Sequence, residues 1–277
     1  MLYFSVNEEL CTRCGLCVRD CPSMIITQSG KTPPKISRKD SLNCIQCQHC
    51  LAICPTAAIS IFKKKPEDSL PLSAGSMPDF EQMNLLVRGR RAVRHYKDEN
   101  VDAELLKRIL AATANAPSGV NRHQLTFSVI DDRKVMQAFR ERTLSDLAAA
   151  DKAGRIPEHF GYLKEAPSAY AKDKTDIIFR TAPHALIVSA GPGSVCPNED
   201  AILALAYFEL LAQSAGLGAV WWGIFKMLMA VLPDLRPRLG IPDDHTYCYA
   251  MLFGAPAVKY ARTVQRDDAA IVRTVKW

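Results

Sequence analysis

The sequence predicts an α+β protein of two parts, a small cysteine-rich module at residues 1–62 and a larger α+β domain at residues 81–277. Three features support this division. Eight of the ten cysteines form two matching runs near the start of the chain. A segment rich in proline, serine and charge follows at residues 63–80. From Glu81 onward, stretches with helical periodicity alternate with short apolar runs typical of strands.

The two cysteine runs are copies of one pattern, Cys-x2-Cys-x2-Cys-x3-Cys-Pro. Each position of the first run recurs 33 residues later, so the pattern is an internal repeat and not a chance excess of cysteine. The runs are Cys11, Cys14, Cys17, Cys21, Pro22 and Cys44, Cys47, Cys50, Cys54, Pro55. This spacing is typical of proteins that hold two [4Fe–4S] clusters, in which the fourth cysteine of each run ligates the other cluster.

The spacing therefore predicts two crossed sets of thiolate ligands. One cluster takes Cys11, Cys14, Cys17 and Cys54, and the other takes Cys44, Cys47, Cys50 and Cys21. Soft thiolate sulfur suits iron–sulfur centres. Structural zinc is one alternative, but zinc usually takes cysteines in separated pairs. Disulfides are another, but they need an oxidising compartment, and nothing in the sequence indicates export.

The module at residues 1–62 resembles the bacterial two-cluster ferredoxins. This resemblance implies a small pseudo-twofold fold of short strands and helical turns, whose function is one-electron transfer. His49 lies between two of the ligands. Because the cysteine set is already complete, we expect His49 to be a solvated loop residue.

The charge balance argues against a nucleic-acid partner. The formal net charge is +6 when all cysteines are counted as neutral. An oxidised [4Fe–4S] cluster with four thiolates carries about −2, so two clusters remove about four of these charges. We therefore interpret the basic residues as internal counter-charges and not as a binding stripe.

Expectations about location follow from what the sequence lacks. It contains no run of about eighteen uncharged apolar residues, so no membrane span is predicted. The first residues, Met1 to Phe4, are not a basic segment followed by an apolar run, so no signal peptide is predicted. We expect a cytoplasmic protein.

The segment at residues 63–80 has two interpretations. Its prolines, glycine and serines interrupt every apolar periodicity, which is typical of a linker. Alternatively, it is an ordered strap that fixes the module onto the next domain. A module that transfers electrons has to be held in place, which favours the strap.

The sequence of the larger domain predicts helices that alternate with strands. A helix begins at Asp102, with a buried stripe formed by Leu105, Leu106, Ile109 and Leu110. A polar-faced helix is predicted from Asp132 to Ala150. Strands of a small mixed sheet are predicted at Phe127 to Ile130, Leu186 to Ser189, near Val220 and at Tyr247 to Phe253. The sequence of residues 151–180 predicts an irregular excursion or a lid.

A further helix is predicted to begin with Asn198 as its N-cap and to end at Gly216. It is apolar almost all round, which is typical of a helix buried on every side. We expect either a central helix or a subunit interface. The polar and apolar tail after Arg262 is a candidate to wrap another subunit.

Four segments carry residues suited to a bound cofactor. They are Arg90-Arg91-Ala92-Val93-Arg94, Ala116-Pro117-Ser118-Gly119-Val120-Asn121-Arg122-His123, Gly216-Leu217-Gly218-Ala219-Val220-Trp221-Trp222-Gly223 and Gly254-Ala255-Pro256-Ala257-Val258-Lys259-Tyr260-Ala261-Arg262. Guanidinium groups suit phosphate because their planar fork donates two parallel hydrogen bonds. Proline and glycine in the second segment fix a tight turn that can approach a flat ring. In the third segment Trp221 replaces the last glycine of the dinucleotide fingerprint, which excludes a Rossmann site.

Each segment also has a simpler interpretation. The arginines could form a solvated helix face, and the second segment could be an ordinary Pro-Ser-Gly loop. The adjacent tryptophans could be core residues, and the last segment could be a solvated basic strand end.

In this order and with these separations, the four segments resemble the flavin-binding nitroreductase family over most of residues 81–277. The resemblance implies an FMN site. It assigns the phosphate to Arg90, Arg91, Arg94, Lys259 and Arg262, the flavin edge to Pro117, Ser118 and Asn121, and backbone contacts to Trp222 and Gly223. The chain has His123 where the family usually has glutamine, and Lys259 and Arg262 lie one residue farther apart than usual.

The two resemblances together predict an FMN-dependent oxidoreductase that reduces nitro compounds or related electron-poor small molecules. Its electrons would pass through the two [4Fe–4S] clusters, because a flavin accepts electrons singly and delivers them in pairs. The donor is left open among NAD(P)H, a soluble ferredoxin or another enzyme. The alternatives are a relay of electrons between protein partners and a cofactor-binding sensor. The family resemblance also implies a homodimer with FMN sites built from both subunits.

Three residues outside these motifs have structural interpretations. Cys196 and Cys248 are expected to be buried and inert. His184 is expected to be a structural residue at the entry of a strand.

Overall fold

The computed structural model describes residues 2–266 and 269–277. The chain divides into two units with the boundary between Pro78 and Asp79, inside the segment at residues 63–80. Whether that segment acts as a linker or a strap stays a prediction, as do the domain limits. Across the described residues, no helix combines the length and apolar character needed to cross a membrane.

The first unit consists of two antiparallel strand pairs and two short helices. Its strands are β1 (Phe4–Val6), β2 (Ile26–Thr27), β3 (Lys35–Ile36) and β4 (Ile59–Ile61), and its helices are α1 (Leu16–Asp20) and α2 (His49–Ala52). β1 pairs with β4, and β2 pairs with β3. Each half of the cysteine repeat therefore contains one helix followed by a strand, as the internal repeat predicts.

The second unit is a four-stranded antiparallel sheet with helices packed on both faces. Its strands are β5 (Leu125–Ile130), β6 (His184–Ala190), β7 (Gly218–Trp221) and β8 (Tyr247–Gly254), in the order β5-β6-β8-β7. Its helices are α3 (Phe80–Gly89), α4 (Ala103–Thr113), α5 (Arg133–Lys152), α6 (Gly161–Asp173), α7 (Pro197–Ser214), α8 (Ile224–Val231) and α9 (Leu235–Arg238).

The central strand β6 is buried on both faces. Ala185 and Ile187 enter the core that contains residues of α5, α6 and α8. Leu186 and Val188 enter a separate core that contains residues of α4 and α7. Successive side chains of a strand point to opposite faces, so a strand between two cores is apolar at every position.

The sheet corrects the prediction of a mixed sheet. All pairs of named strands are antiparallel. Among the described residues, the one parallel contact to this sheet is an isolated bridge between Ala92 and Ala219. The first cofactor segment therefore lies beside β7 without becoming a fifth strand.

Residues 151–180 are not the irregular excursion that the sequence predicted. Helix α6 occupies much of this range, with Pro167 inside it. A proline in a helix interior costs about 3 kcal/mol. Here Leu163 and Ala166 are buried in the core, and that burial stabilises the helix in spite of the proline.

Helix α7 begins two residues earlier than predicted, because Cys196 and not Asn198 is its N-cap. Pro197 occupies the first helical position, where its fixed φ and missing N–H are tolerated. The helix is also not buried on every side within this chain, since Leu203 and Tyr207 are 39% and 41% exposed. The predicted start of α4 is confirmed, because Asp102 Oδ1 accepts a hydrogen bond from Leu105 N at 2.8 Å.

Candidate functional site

The eight clustered cysteines of the first unit line two separate cavities. One is lined by Cys21, Cys44, Cys47 and Cys50, and the other by Cys11, Cys14, Cys17 and Cys54. Each cavity is partly open to solvent. The fold therefore brings together the same two crossed sets of thiols that the spacing predicts.

Burial and mutual repulsion govern the charge of these thiols. Burial, with smaller contributions from the neighbouring Cys47, Cys44 and Cys21, raises the pKa of Cys50 to about 12. Burial, and then the charge of Cys54, raises the pKa of Cys17. Four thiolates can share such a cavity only if a positive centre offsets their repulsion, which is the situation of an iron–sulfur core.

One ligand also receives a backbone hydrogen bond. Ala58 N donates to Cys54 Sγ at 3.2 Å. Hydrogen bonds to cluster sulfurs are among the factors that set the reduction potential.

The thiols do not have the geometry of a single-ion site. Within the described residues, no group of three or more His, Cys, Asp or Glu side chains could hold one metal ion. A structural zinc requires four ligands at about 2.0–2.3 Å from one centre. Four thiols line each cavity without single-ion geometry, which favours clusters over zinc. All ten cysteines are free thiols, so the disulfide alternative also fails.

In the second unit, the arginine-rich segment Arg90–Arg94 lies along strand β7. Val93 N donates to Ala219 O at 3.0 Å. Gly218 permits this approach, because a Cβ at that position would lie 2.6 Å from Val93 Cγ2. The glycine is therefore required by close packing of the arginine segment on the strand.

The chain after β8 runs beside the continuation of the same segment. Ala257 N donates to His95 O at 2.9 Å, and Lys97 N donates to Ala255 O at the same distance. These bonds bring the first and fourth cofactor segments together, although they are far apart in sequence.

The three predicted phosphate-binding arginines have different surroundings. Arg90 Nη1 donates to Glu209 Oε1 at 2.8 Å, so this side chain is engaged in an internal ion pair. Arg94 is exposed, and its Nη1 donates weakly to Ala92 O at 3.3 Å. Arg91 Nε is buried and has no hydrogen-bond partner among the described residues.

The charge around Arg91 favours an anion. Burial lowers the pKa of the Arg91 guanidinium, and the positive charges of Arg266 and Arg90 lower it further. A bound phosphate would supply both the missing hydrogen-bond acceptor and the compensating charge. The site therefore fits the phosphate of FMN.

Arg266 and Tyr260 are the residues near Arg91 that sequence reasoning missed. Both influence the pKa of Arg91. Tyr260 lies inside the fourth segment but was not singled out, and Arg266 lies beyond it, where no motif marks it. Lys259 and Arg262, which the resemblance did single out, are both exposed.

The loop at residues 117–123 is held in place by Asp200, which is 1% exposed. Gly119 N donates to Asp200 Oδ1 at 2.8 Å, and Ser194 Oγ donates to Asp200 Oδ2 at 2.7 Å. A Cβ on Gly119 would lie 3.0 Å from Cys196 Sγ, so the loop packs closely on the start of α7.

The same loop has an unusual backbone. Val120, Asn121 and His123 have φ values of 43°, 57° and 48°. Left-handed conformations are costly for non-glycine residues and are frequent at ligand sites. His123 N donates to Ser118 Oγ at 2.9 Å, which closes the turn. Of the predicted residues, Pro117 is exposed, whereas Ser118 and Asn121 are half-buried.

The two adjacent positions after β7 differ sharply. Trp222 is 2% exposed, its backbone N donates to Ala250 O at 2.9 Å, and its Nε1 donates to Ile178 O at 3.1 Å. Trp222 is therefore a core residue whose amide already has an acceptor. Gly223 is exposed, and a Cβ there would lie 3.4 Å from Tyr249 Oη.

The register of the sheet separates two of the predicted segments. Leu125 pairs with Ala190, which pairs with Tyr247, so β5 begins at the end of the sheet where β8 begins. The arginine segment lies beside Ala219, which pairs with Phe253 near the end of β8. Within one chain, the loop at residues 117–123 and Arg91 thus lie at opposite ends of the sheet.

The residues outside the motifs have mixed outcomes. His184 is fully buried and its Nε2 accepts from Val101 N at 3.0 Å, which confirms a structural role. Cys196 and Cys248 were predicted to be buried, but both are only half-buried.

Both units match known families. Residues 87–255, well over half of the chain, match the model of the nitroreductase family. Residues 4–55 match the model of the 4Fe-4S dicluster domain.

Two curated relatives illustrate the range of the family. A protein of Methanothermobacter thermautotrophicus, which carries the name "Putative NADH dehydrogenase/NAD(P)H nitroreductase", is 29% identical over 62% of this chain and 75% of its own length. A 5,6-dimethylbenzimidazole synthase of Rhodospirillum rubrum is 26% identical over 65% of this chain and 84% of its own length.

Solved structures show the same fold. A nitroreductase of Bacteroides fragilis with bound FMN has a TM-score of 0.54 and 24% identity, and the match covers 69% of this chain and 99% of that protein. A nitroreductase of Desulfitobacterium hafniense with bound FMN has a TM-score of 0.53 and 22% identity, over 71% and 100% of the two chains. The predicted fold class is confirmed, and the chain belongs to the nitroreductase family and carries a 4Fe-4S dicluster domain ahead of its nitroreductase domain.

Proposed function

We propose that this oxidoreductase reduces nitro compounds or related electron-poor small molecules at an FMN site, with electrons relayed through two [4Fe–4S] clusters. The observation that carries the proposal is the presence, in one chain, of two crossed thiol sets and of an arginine, Arg91, whose Nη2 donates to Arg88 O but whose buried Nε has no acceptor among the described residues. The first suits one-electron carriers, and the second suits a cofactor phosphate.

FMN is the cofactor of the nitroreductases of known structure named above. In this chain, Arg91 would donate to the phosphate, and Arg94, Lys259 and Arg262 are exposed cations able to add to its binding. Arg90 would not bind the phosphate directly, since its guanidinium is already engaged by Glu209. It would instead contribute its positive charge next to Arg91. When bound, FMN supplies the conversion between one-electron and two-electron chemistry.

The residues around β7 would orient the cofactor. Arg91 lies near the start of this strand and Gly223 follows its end, so the two flank a strand about 13 Å long. This arrangement suits an elongated ligand with an anionic end near Arg91. The exposed Gly223 would approach the ring, because a residue without a side chain leaves the backbone accessible.

A homodimer is part of the proposal. The loop at residues 117–123 lies at the far end of the sheet from Arg91, so a second copy would be needed to bring such a loop to the same FMN. Apolar side chains are available for an interface, since Leu203 and Tyr207 on α7 and Ile271 and Trp277 in the tail are exposed.

The electron donor is proposed as either NAD(P)H or a ferredoxin. The name of the Methanothermobacter relative supports a nicotinamide donor. The dicluster domain supports a one-electron protein donor, because clusters pass electrons singly.

Anaerobic preparation followed by iron, sulfide and flavin analysis tests the cofactors. We expect about eight irons and about one FMN per chain. Steady-state turnover with nitroaromatics or quinones then tests the activity. A single burst of flavin reduction without turnover would contradict the enzyme and favour the relay between protein partners.

A further inference from the structure

One segment of the first unit lines both thiol-bearing cavities. We call residues 31–39 the basic cover. Pro34 lines the cavity that contains Cys11 and its set, and Ile36 lines the cavity that contains Cys44 and its set. The inner side of the basic cover therefore touches both cluster sites.

The outer side of the basic cover is positively charged. Ile36 pairs with the buried Ile26, whereas Lys35 pairs with the exposed Thr27, so strand alternation directs Lys35 away from the core. All four of its cations are exposed: Lys31, Lys35, Arg38 and Lys39. The basic cover contains no acidic residue.

Hydrogen bonds fix this segment in place. Gln28 Nε2 donates to Thr32 O at 2.9 Å and to Arg13 O at 3.2 Å, which joins the start of the cover to the first cysteine run. At the other end, Ser41 Oγ donates to Arg38 O at 2.7 Å. The backbone that carries these cations is therefore held beside the two cavities.

We propose that the basic cover is the docking surface for an acidic one-electron carrier protein. This inference rests on the proposed function, in which clusters receive electrons. Electron transfer slows steeply with distance, so a carrier has to dock where the clusters lie nearest the surface. Encounters of this kind use small interfaces, and complementary charge sets their rate and orientation.

The proposed reaction is the transfer of a single electron from the carrier to this chain. The reduced centre of the carrier loses one electron, and one [4Fe–4S] cluster of this chain gains it. No covalent bond forms or breaks, and no proton has to move.

The competing explanation is that these cations only balance the negative charge of the clusters. Such counter-charges would affect every route of cluster reduction alike. A docking surface affects reduction by a charged protein and leaves reduction by a small neutral molecule unchanged. This difference makes the two explanations separable.

The test compares two triple variants of the holoprotein with equal changes in net charge. One is Lys35→Glu, Arg38→Glu, Lys39→Glu in the basic cover. The matched control is Lys152→Glu, Arg155→Glu, Lys172→Glu, all exposed positions in the second unit. Anaerobic stopped-flow follows electron transfer after mixing with a reduced, purified plant-type [2Fe–2S] ferredoxin of strongly negative net charge, whose absorption bands differ from those of [4Fe–4S] clusters.

At an ionic strength of about 0.01 M, we expect the cover variant to be reduced at least about tenfold more slowly than the unmodified protein. The control variant should stay within about twofold, since steering depends on charge at the contact. The difference should vanish near 1 M salt, where charges are screened within about 3 Å. With cytochrome c, a basic acceptor, the cover variant should react faster.

Photoreduction with a neutral deazaflavin provides the reference. Equal rates in all three proteins would show that the variants keep intact clusters, as expected. Clusters that resist photoreduction in the unmodified protein would overturn the relay itself. Two results would overturn the docking surface alone, provided that the clusters are photoreducible. One is that the acidic ferredoxin reduces all three proteins at equal rates, and the other is that it reduces both variants equally slowly.

Discussion

Glu209 accepts two hydrogen bonds, from Arg90 Nη1 at 2.8 Å through Oε1 and from Trp221 Nε1 at 3.1 Å through Oε2. Glu209 is 7% exposed and belongs to α7, whereas Arg90 is the C-cap of α3 and Trp221 ends β7. One buried side chain thus joins three elements that surround the proposed cofactor site.

Replacing Glu209 by Gln should lower stability more than it lowers activity. Gln keeps an acceptor for Trp221 but leaves the Arg90 charge without its partner. Losing a hydrogen bond between charged groups costs about 1.5–3 kcal/mol. Thermal unfolding should show a Tm several degrees lower, and an unchanged Tm would contradict the importance of this pair.

Replacing Arg91 by Ala should release FMN while leaving cluster absorbance intact. Arg91 Nε is buried without an acceptor, so we assign it a direct bond to the phosphate. The Kd for FMN should rise by about tenfold to a hundredfold, measured by fluorescence titration. Arg108→Ala on α4 is the control. FMN retained at unchanged affinity in the Arg91 variant would refute the assignment.

Replacing Cys54 by Ser should remove the cluster of the first cysteine run and spare the other. The reason is that Cys54 lines the cavity of Cys11, Cys14 and Cys17. Iron content should fall from about eight to about four per chain. The reciprocal variant is Cys21→Ser, combined with electron paramagnetic resonance of the remaining cluster. Loss of the second-run cluster in the Cys54 variant would contradict crossed ligation.

Acidification should destabilise the second unit through His184. Burial lowers the pKa of this imidazole, and its Nε2 has to stay unprotonated to accept from Val101 N. The unfolded chain therefore binds the proton first. Stability is complete above a pH of about 6.5 and falls as the pH drops below it, by at most about 1.4 kcal/mol per pH unit.

Denaturant unfolding at pH 7.5 and 5.5 measures this loss. In His184→Gln the side chain does not titrate, so its stability should depend less on pH than that of the unmodified protein. The same pH dependence in both proteins would rule out His184 as its origin.

Local signals were sufficient for the cysteine module and for several helix ends. The cysteine register could be predicted because ligation constrains spacing directly along the chain. The start of α4 could be predicted because its cap, Asp102, acts within three residues.

Tertiary contacts decided the features that the sequence did not reveal. Arg90 looked like a phosphate ligand by sequence, but it pairs with Glu209, which is distant in the chain. Helix α6 was missed because Pro167 and scattered aromatic residues obscure its periodicity, while burial of Leu163 stabilises it. The position of Arg266 near Arg91 depends on the course of the tail, which no local pattern encodes.

One measurement tests the central claim most directly. The purified holoprotein is photoreduced without oxygen and without substrate, and absorption is followed at the cluster and flavin bands. Electron relay predicts that bleaching of the clusters is followed by reduction of FMN in the same chain. Clusters that stay reduced beside a fully oxidised flavin would contradict the account.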